Sequence, residues 1–142
     1  MLPQRAATAY SRIGIETGVA AASPHSLILM LYDGARQAIQ EASGHLDAKR
    51  IPDKGRAISR AISIIDEGLK GCLDKAGGEI AEHLAQLYDY MCRRLLLASV
   101  KNDRAGLEEV MQLLEELRGA WATIAAMPVA PNHVSRLAPS RP

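Results

Sequence analysis

Glu79, Glu82 and His83 stand close together in a helical stretch, and Glu79 and His83, four residues apart, share one helix face. A carboxylate and an imidazole on one face are metal-ligand types. Bundles that hold two metal ions, however, need a Glu-x-x-His pair from each of two helices and carboxylates from the other two. No second pair follows in this chain, so the three residues read as a charged, solvated helix start and no metal is expected. His25, His45 and His133 are scattered, and none converges in sequence with a candidate nucleophile. Cys72 and Cys92 are too few for a zinc site and lack the close ligand spacing of one; both are expected to be reduced and buried. There is no glycine-rich phosphate loop and no nucleophile elbow. The Arg93-Arg94 pair has the chemistry to hold a phosphate, but it stands among acidic helical segments and reads as an ion-pairing or partner-contacting feature. No catalytic residue, no cofactor and no enzymatic activity are expected.

The elements that would position these residues follow from composition and patterning. The chain has 142 residues, 48% hydrophobic and 23% charged, with a formal charge of +1, which suits one globular domain and gives nucleic acid no electrostatic footprint. Phe is absent and aromatics are scarce, so the core is built from Leu, Ile, Val, Met and Ala, a composition that favours helices over strands. The N-terminal stretch lacks the apolar run of a secretory signal, and nothing approaches a membrane span; the cytoplasm is the expected compartment and no membrane insertion is expected.

Ser23-Pro24 marks a helix start, because Ser caps a first-turn N–H and Pro suits the first helical position. Leu27, Ile28, Leu31, Tyr32, Ala35, Ala38, Ile39, Ala42 and Leu46 then fall on one face. Ile51-Pro52-Asp53 marks a turn, with Asp53 as the expected cap of a second helix whose stripe is Ala57, Ile58, Ala61, Ile62, Ile65, Leu69, Cys72, Leu73 and Ala76, with Ile64 to one side. Gly77-Gly78 breaks the pattern. A third helix is expected from about Glu79 to Val100, with Ile80, Leu84, Leu87, Tyr88, Met91, Leu95 and Ala98 inward. Asn102-Asp103 supplies the cap of a fourth, which carries Leu107, Val110, Leu113, Leu114, Leu117, Trp121 and Ile124 on one face. Short connections make sequential helices neighbours, so the predicted fold is all-α, an antiparallel up-and-down four-helix bundle over 23–126. A short arm, 1–22, precedes it, and a Pro-rich tail, 127–142, with two Arg and no acid, is expected to be flexible.

A bundle needs one apolar stripe per helix, and two helices carry more. Leu29 and Met30 lie outside the first stripe; Tyr90, Leu96, Leu97 and Val100 lie outside the third. Such surplus must be covered within the bundle, in an oligomer or by a partner. The candidate partner-binding patch is Leu29, Met30, Tyr90, Leu96 and Leu97 with Arg93 and Arg94. A structural or regulatory bundle that uses its extra stripes for homo-oligomerisation is the alternative.

Three segments in this order, SPHSLILMLYDGARQAI, LYDYMCRRLLLASVKND and EVMQLLEELRGAW, closely resemble the FliS family of flagellar secretion chaperones. The resemblance covers roughly residues 8 to 125; Ser26 departs from it where the family often places a Glu that completes a capping box. It implies a non-catalytic cytosolic protein, monomer or homodimer, that binds the disordered C-terminal segment of flagellin. The client would become partly helical on the chaperone, be kept from premature polymerisation and stay competent for type III export. Contact with components of the flagellar export apparatus is implied by family only. The resemblance also matches Tyr10 to a Tyr-containing arm, so Tyr10, Ile13 and Ile15 are the expected anchors of a lid over part of the client surface.

Overall fold

A computed structural model of the chain describes residues 23–73 and 78–126. Among these residues there is no strand, and four helical segments run α1 Pro24–Asp47, α2 Ile51–Ser63, α3 Gly78–Lys101 and α4 Arg104–Ala126. Past Ser63, α2 continues through a π-helical turn, Ile64–Leu69, and a short 3-10 turn, Lys70–Cys72. α1 packs on α2 and α4, and α3 also packs on α2 and α4, so α1 and α3 occupy opposite corners of a four-helix bundle. Cross-helix pairs fix the direction of each neighbour. Lys54 at the start of α2 reaches Ser99 at the end of α3, and Arg104 at the start of α4 reaches Asp47 at the end of α1. Neighbours are therefore antiparallel, as the short connections require. The arm at 1–22 with Tyr10, Ile13 and Ile15, the residues 74–77 with Ala76 and Gly77, and the tail at 127–142 with His133 lie outside the described residues.

The helix ends follow their local chemistry. Ser23 Oγ accepts the Ser26 N–H at 3.2 Å, and Pro24 occupies the first turn. The α1–α2 and α3–α4 corners use one device: Lys49 (φ 61°) and Asn102 (φ 52°) adopt left-handed backbone. The next N–H then closes back on the helix, Arg50 to the His45 carbonyl at 2.8 Å and Asp103 to the Ala98 carbonyl at 2.9 Å. Asp103 also caps α4, its Oδ1 accepting the Ala105 N–H at 3.0 Å. At the first corner the expected cap is corrected. With the turn completed at Lys49, Ile51 and Pro52 are already helical and Asp53 lies in the first turn, paired with Arg56 and, at 3.9 Å, with Arg50. The left-handed Gly78 (φ 65°) opens α3, a conformation glycine adopts without steric cost.

The core follows the α1 stripe closely: Leu27, Leu31, Tyr32, Ala35, Ala38, Ile39 and Ala42 are buried, and Ile28 and Leu46 pack against them half-buried. In α2 the expectation shifts. Ile64 is buried beside Ile65, and Ile62 is only half-buried. Ile64 follows Ala57 by seven residues and Ala61 by three, which sets it on the buried side of the stripe, while Ile62 falls at the stripe's edge; the π turn, with the Lys70 N–H on the Ile65 carbonyl, changes the rotation only of the residues that follow. Lys54 is also buried, its Nζ donating to the Ser99 carbonyl at 2.7 Å, where a cation meets the negative end of α3.

Across the bundle's diagonal the Tyr32 and Tyr88 hydroxyls pair at 2.6 Å, both residues buried. Burial pushes both phenols above the ordinary tyrosine range. Tyr88→Phe leaves Tyr32 without its partner and is expected to cost about 1–3 kcal/mol, whereas replacing both with Phe recovers part of that loss. Because the folded state holds these protons more tightly than the unfolded chain, stability is full below about pH 10 and falls as pH rises through it. Urea unfolding at neutral and alkaline pH checks both points. A Tyr88→Phe chain as stable as the parent would show that the pair contributes nothing.

Candidate functional site

Leu95, Leu96 and Leu97 are consecutive, yet their exposures are 0%, 59% and 47%. Successive helical side chains point about 100° apart, so only Leu95 joins Tyr88, Met91 and Ala98 on the core face. Arg93, Leu96, Leu97 and Val100 stand at i, i+3, i+4 and i+7 and form one outward stripe. Val100, outside the candidate patch read from sequence, is 73% exposed and belongs to this stripe by spacing; its signal was its position off the core face. Ile51, exposed at the start of α2, sits at the same end of the bundle, since Lys54 one turn on reaches Ser99 of α3.

The stripe's two edges are fixed by polar contacts to the neighbouring helices. On the α4 side the Tyr90 hydroxyl donates to Glu109 Oε2, and Arg94 Nε donates to Glu109 Oε1 at 2.8 Å. Both bonds hold the Glu109 carboxyl below the usual carboxylate range, and the bond to Glu109 raises the Tyr90 phenol. Arg94 also reaches Asp103 Oδ2 at 3.4 Å. Gly106 makes room for this guanidinium: a Cβ there would stand 2.5 Å from Arg94 Nη1 and 2.8 Å from the Ala98 Cβ. Arg94 thus straps α3 to α4, while Arg93 is exposed. On the α2 side Cys92 Sγ donates to the Ile62 carbonyl at 3.8 Å, and Lys70 pairs with Asp89 at 2.8 Å.

Leu29 and Met30 are not brought to this face. Both are half-buried on α1, at the opposite corner. Leu29 falls one turn before Asp33, which pairs with Arg118 of α4; Met30 falls three turns before Glu41, which pairs with Arg60 of α2. The apolar surplus therefore makes separate surfaces. A further concave surface, a groove of about 510 Å³ between α1 and α4, is lined by Ile39, Ser43, Gly44, Leu107 and Met111 with polar neighbours. Nothing in one-helix periodicity marks it, because it arises between two helices.

The other residues with chemical potential stand apart. Glu79, Glu82 and His83 are exposed at the start of α3, and among the described residues no group of three or more His, Cys, Asp or Glu could hold a metal ion. His25 stacks on Trp121 with ring centroids 4.9 Å apart, and its carbonyl accepts the Trp121 Nε1–H at 3.3 Å. His45 Nδ1 accepts from Arg50 at 3.3 Å. Cys72 and Cys92 form no disulfide and are half-buried rather than buried because they flank the core face; burial pushes the Cys92 thiol up to about 11. Among the described residues no helix is long and apolar enough to cross a membrane.

Comparison with known proteins gives a consistent result. The model of the family described as "Flagellar protein FliS" matches residues 6–128. The flagellar secretion chaperone FliS of Salmonella typhimurium is 49% identical over 118 residues, 82% of this chain and 87% of that protein. The flagellar secretion chaperone FliSB of Pseudomonas aeruginosa is 40% identical over 126 residues, 88% of this chain and 99% of that protein. FliS of Bacillus subtilis is 34% identical over 121 residues, 85% and 86% of the two chains.

Proposed function

The chain belongs to the FliS family of flagellar proteins, and from that premise we propose that it is a flagellar export chaperone that binds the disordered C-terminal segment of flagellin in the cytoplasm. The observation that carries the reading is the outward stripe of α3, where Leu96, Leu97 and Val100 are large, apolar and exposed. A segment with apolar anchors at helical spacing gains by folding against such a stripe, the helix-in-groove mode of recognition. Leu29 and Met30 at the opposite corner give the same client a second point of contact if it wraps the bundle. Tyr90, Arg93 and Arg94 frame the α3 stripe with hydrogen-bonding and charged groups. The chaperone role needs no catalytic group, and none is assigned.

Sequestering that segment blocks filament assembly and keeps flagellin competent for type III export. Flagellin seeded with filament fragments should elongate more slowly in the presence of an equimolar amount of the chain, with recovery when excess free C-terminal segment is added. Unchanged elongation would sink the reading.

Tyr10, Ile13 and Ile15 extend it to regulation: the arm covers part of the client surface until the client displaces it. Each apolar side chain buried gives about 1.5–3 kcal/mol before the cost of ordering the arm, which leaves a marginally closed lid. Client affinity then falls in proportion to the closed fraction. Removing residues 1–16 should tighten client binding; unchanged or weaker binding would refute the lid.

A further inference from the structure

Resting on the client-binding reading above, we infer that the helix seated on α3 carries acidic residues beside its apolar anchors, and that Arg93 and Lys101 select for them. From Tyr90 to Lys101 the chain reads YMCRRLLLASVK, three cations and no carboxylate. Three carboxylates beside this face are engaged, Asp89 by Lys70 at 2.8 Å, Glu109 by Arg94 at 2.8 Å and Asp103 by Arg94 at 3.4 Å, while the exposed Asp66 of the π turn acts on Cys92 and Lys70 and makes no ion pair with Arg93 or Lys101. Arg93 and Lys101 are exposed and have no carboxylate partner among the described residues.

Their placement relative to the apolar stripe gives the charge its use. Arg93 precedes Leu96, Leu97 and Val100 by three, four and seven residues, and Lys101 follows Leu97 by four. The two cations therefore bracket the stripe along the helix, about 12 Å apart at 1.5 Å per residue. A partner that covers Leu96, Leu97 and Val100 dries the stripe and leaves both charges at its rim. Basic residues opposite them are repelled, whereas acidic residues spaced about two turns apart on the partner helix pair with them. Rim charges of this kind act mainly on encounter rate, salt dependence and choice of partner, while the leucines supply affinity.

The test uses the full-length chain and the C-terminal segment of flagellin. Arg93→Glu/Lys101→Glu changes two exposed side chains, so circular dichroism should match the parent. Its affinity for the segment should be about tenfold weaker in dilute salt. Raising ionic strength from about 0.05 to 0.5 M should weaken the parent and leave the variant little changed or tighter. A Leu96→Asp/Leu97→Asp chain should fail to bind at either salt. If the charge-reversed chain binds with the parent's affinity and salt dependence while the leucine variant does not bind, acidic selection is wrong and the client reading stands. If the parent itself does not bind the segment, both are overturned.

Discussion

Full-length chain carrying Leu96→Asp and Leu97→Asp is expected to bind the flagellin C-terminal segment at least about 100-fold more weakly than the parent, yet to unfold at the same denaturant concentration. Burying a leucine is worth about 1.5–3 kcal/mol, and each 1.4 kcal/mol is a factor of ten in Kd, so losing two such contacts removes at least two orders of magnitude. In the free chain these side chains are 59% and 47% exposed, so the substitutions leave the core intact. Surface changes of this kind move stability by about 0.5 kcal/mol or less. Titration of the variant and a urea unfolding curve together make the measurement. Binding within about threefold of the parent would remove the α3 stripe from the client site.

Leu95→Ala, one residue earlier, should have the opposite profile. Leu95 is fully buried against the core, and truncating a buried leucine leaves a cavity that costs about 2–5 kcal/mol. That is a large part of the roughly 5–15 kcal/mol by which a domain of this size is stable. The outward stripe keeps its chemistry, so any loss of client binding should track the folded fraction. An unchanged unfolding midpoint would show that Leu95 is not a core residue.

The separate fates of these leucines were legible in the sequence because they depend only on the rotation per residue, which also sets the α1 stripe from Leu27 to Ala42. The caps at Ser23 and Asp103 were legible too, since the side chain and the N–H it accepts lie within three residues of each other. Other features arise from longer range. The π turn over Ile64–Leu69, where α2 packs between α1 and α3, is announced by no residue in IIDEGL. Lys54 is buried because an unpaired carbonyl at the end of α3 meets it. Asp53 was misplaced as a cap because the left-handed residue that ends α1 is Lys49, which has no strong preference for that conformation. For the candidate patch, the face shared by Arg93, Leu96 and Leu97 was readable from spacing. The separation of Leu29 and Met30 from it, and the engagement of Arg94 by Glu109 and Asp103, required the bundle's diagonal and the neighbouring helix.

The most direct test of the account is calorimetric titration of the full-length chain with the flagellin C-terminal segment, repeated at several temperatures with far-ultraviolet circular dichroism in parallel. Client folding on the apolar face of α3 predicts stoichiometry near one to one, a gain of helix over the sum of the separate components and a negative heat-capacity change. No heat and no spectral change at roughly tens of micromolar, where even a Kd of about 1 μM would give near-complete binding, would contradict it.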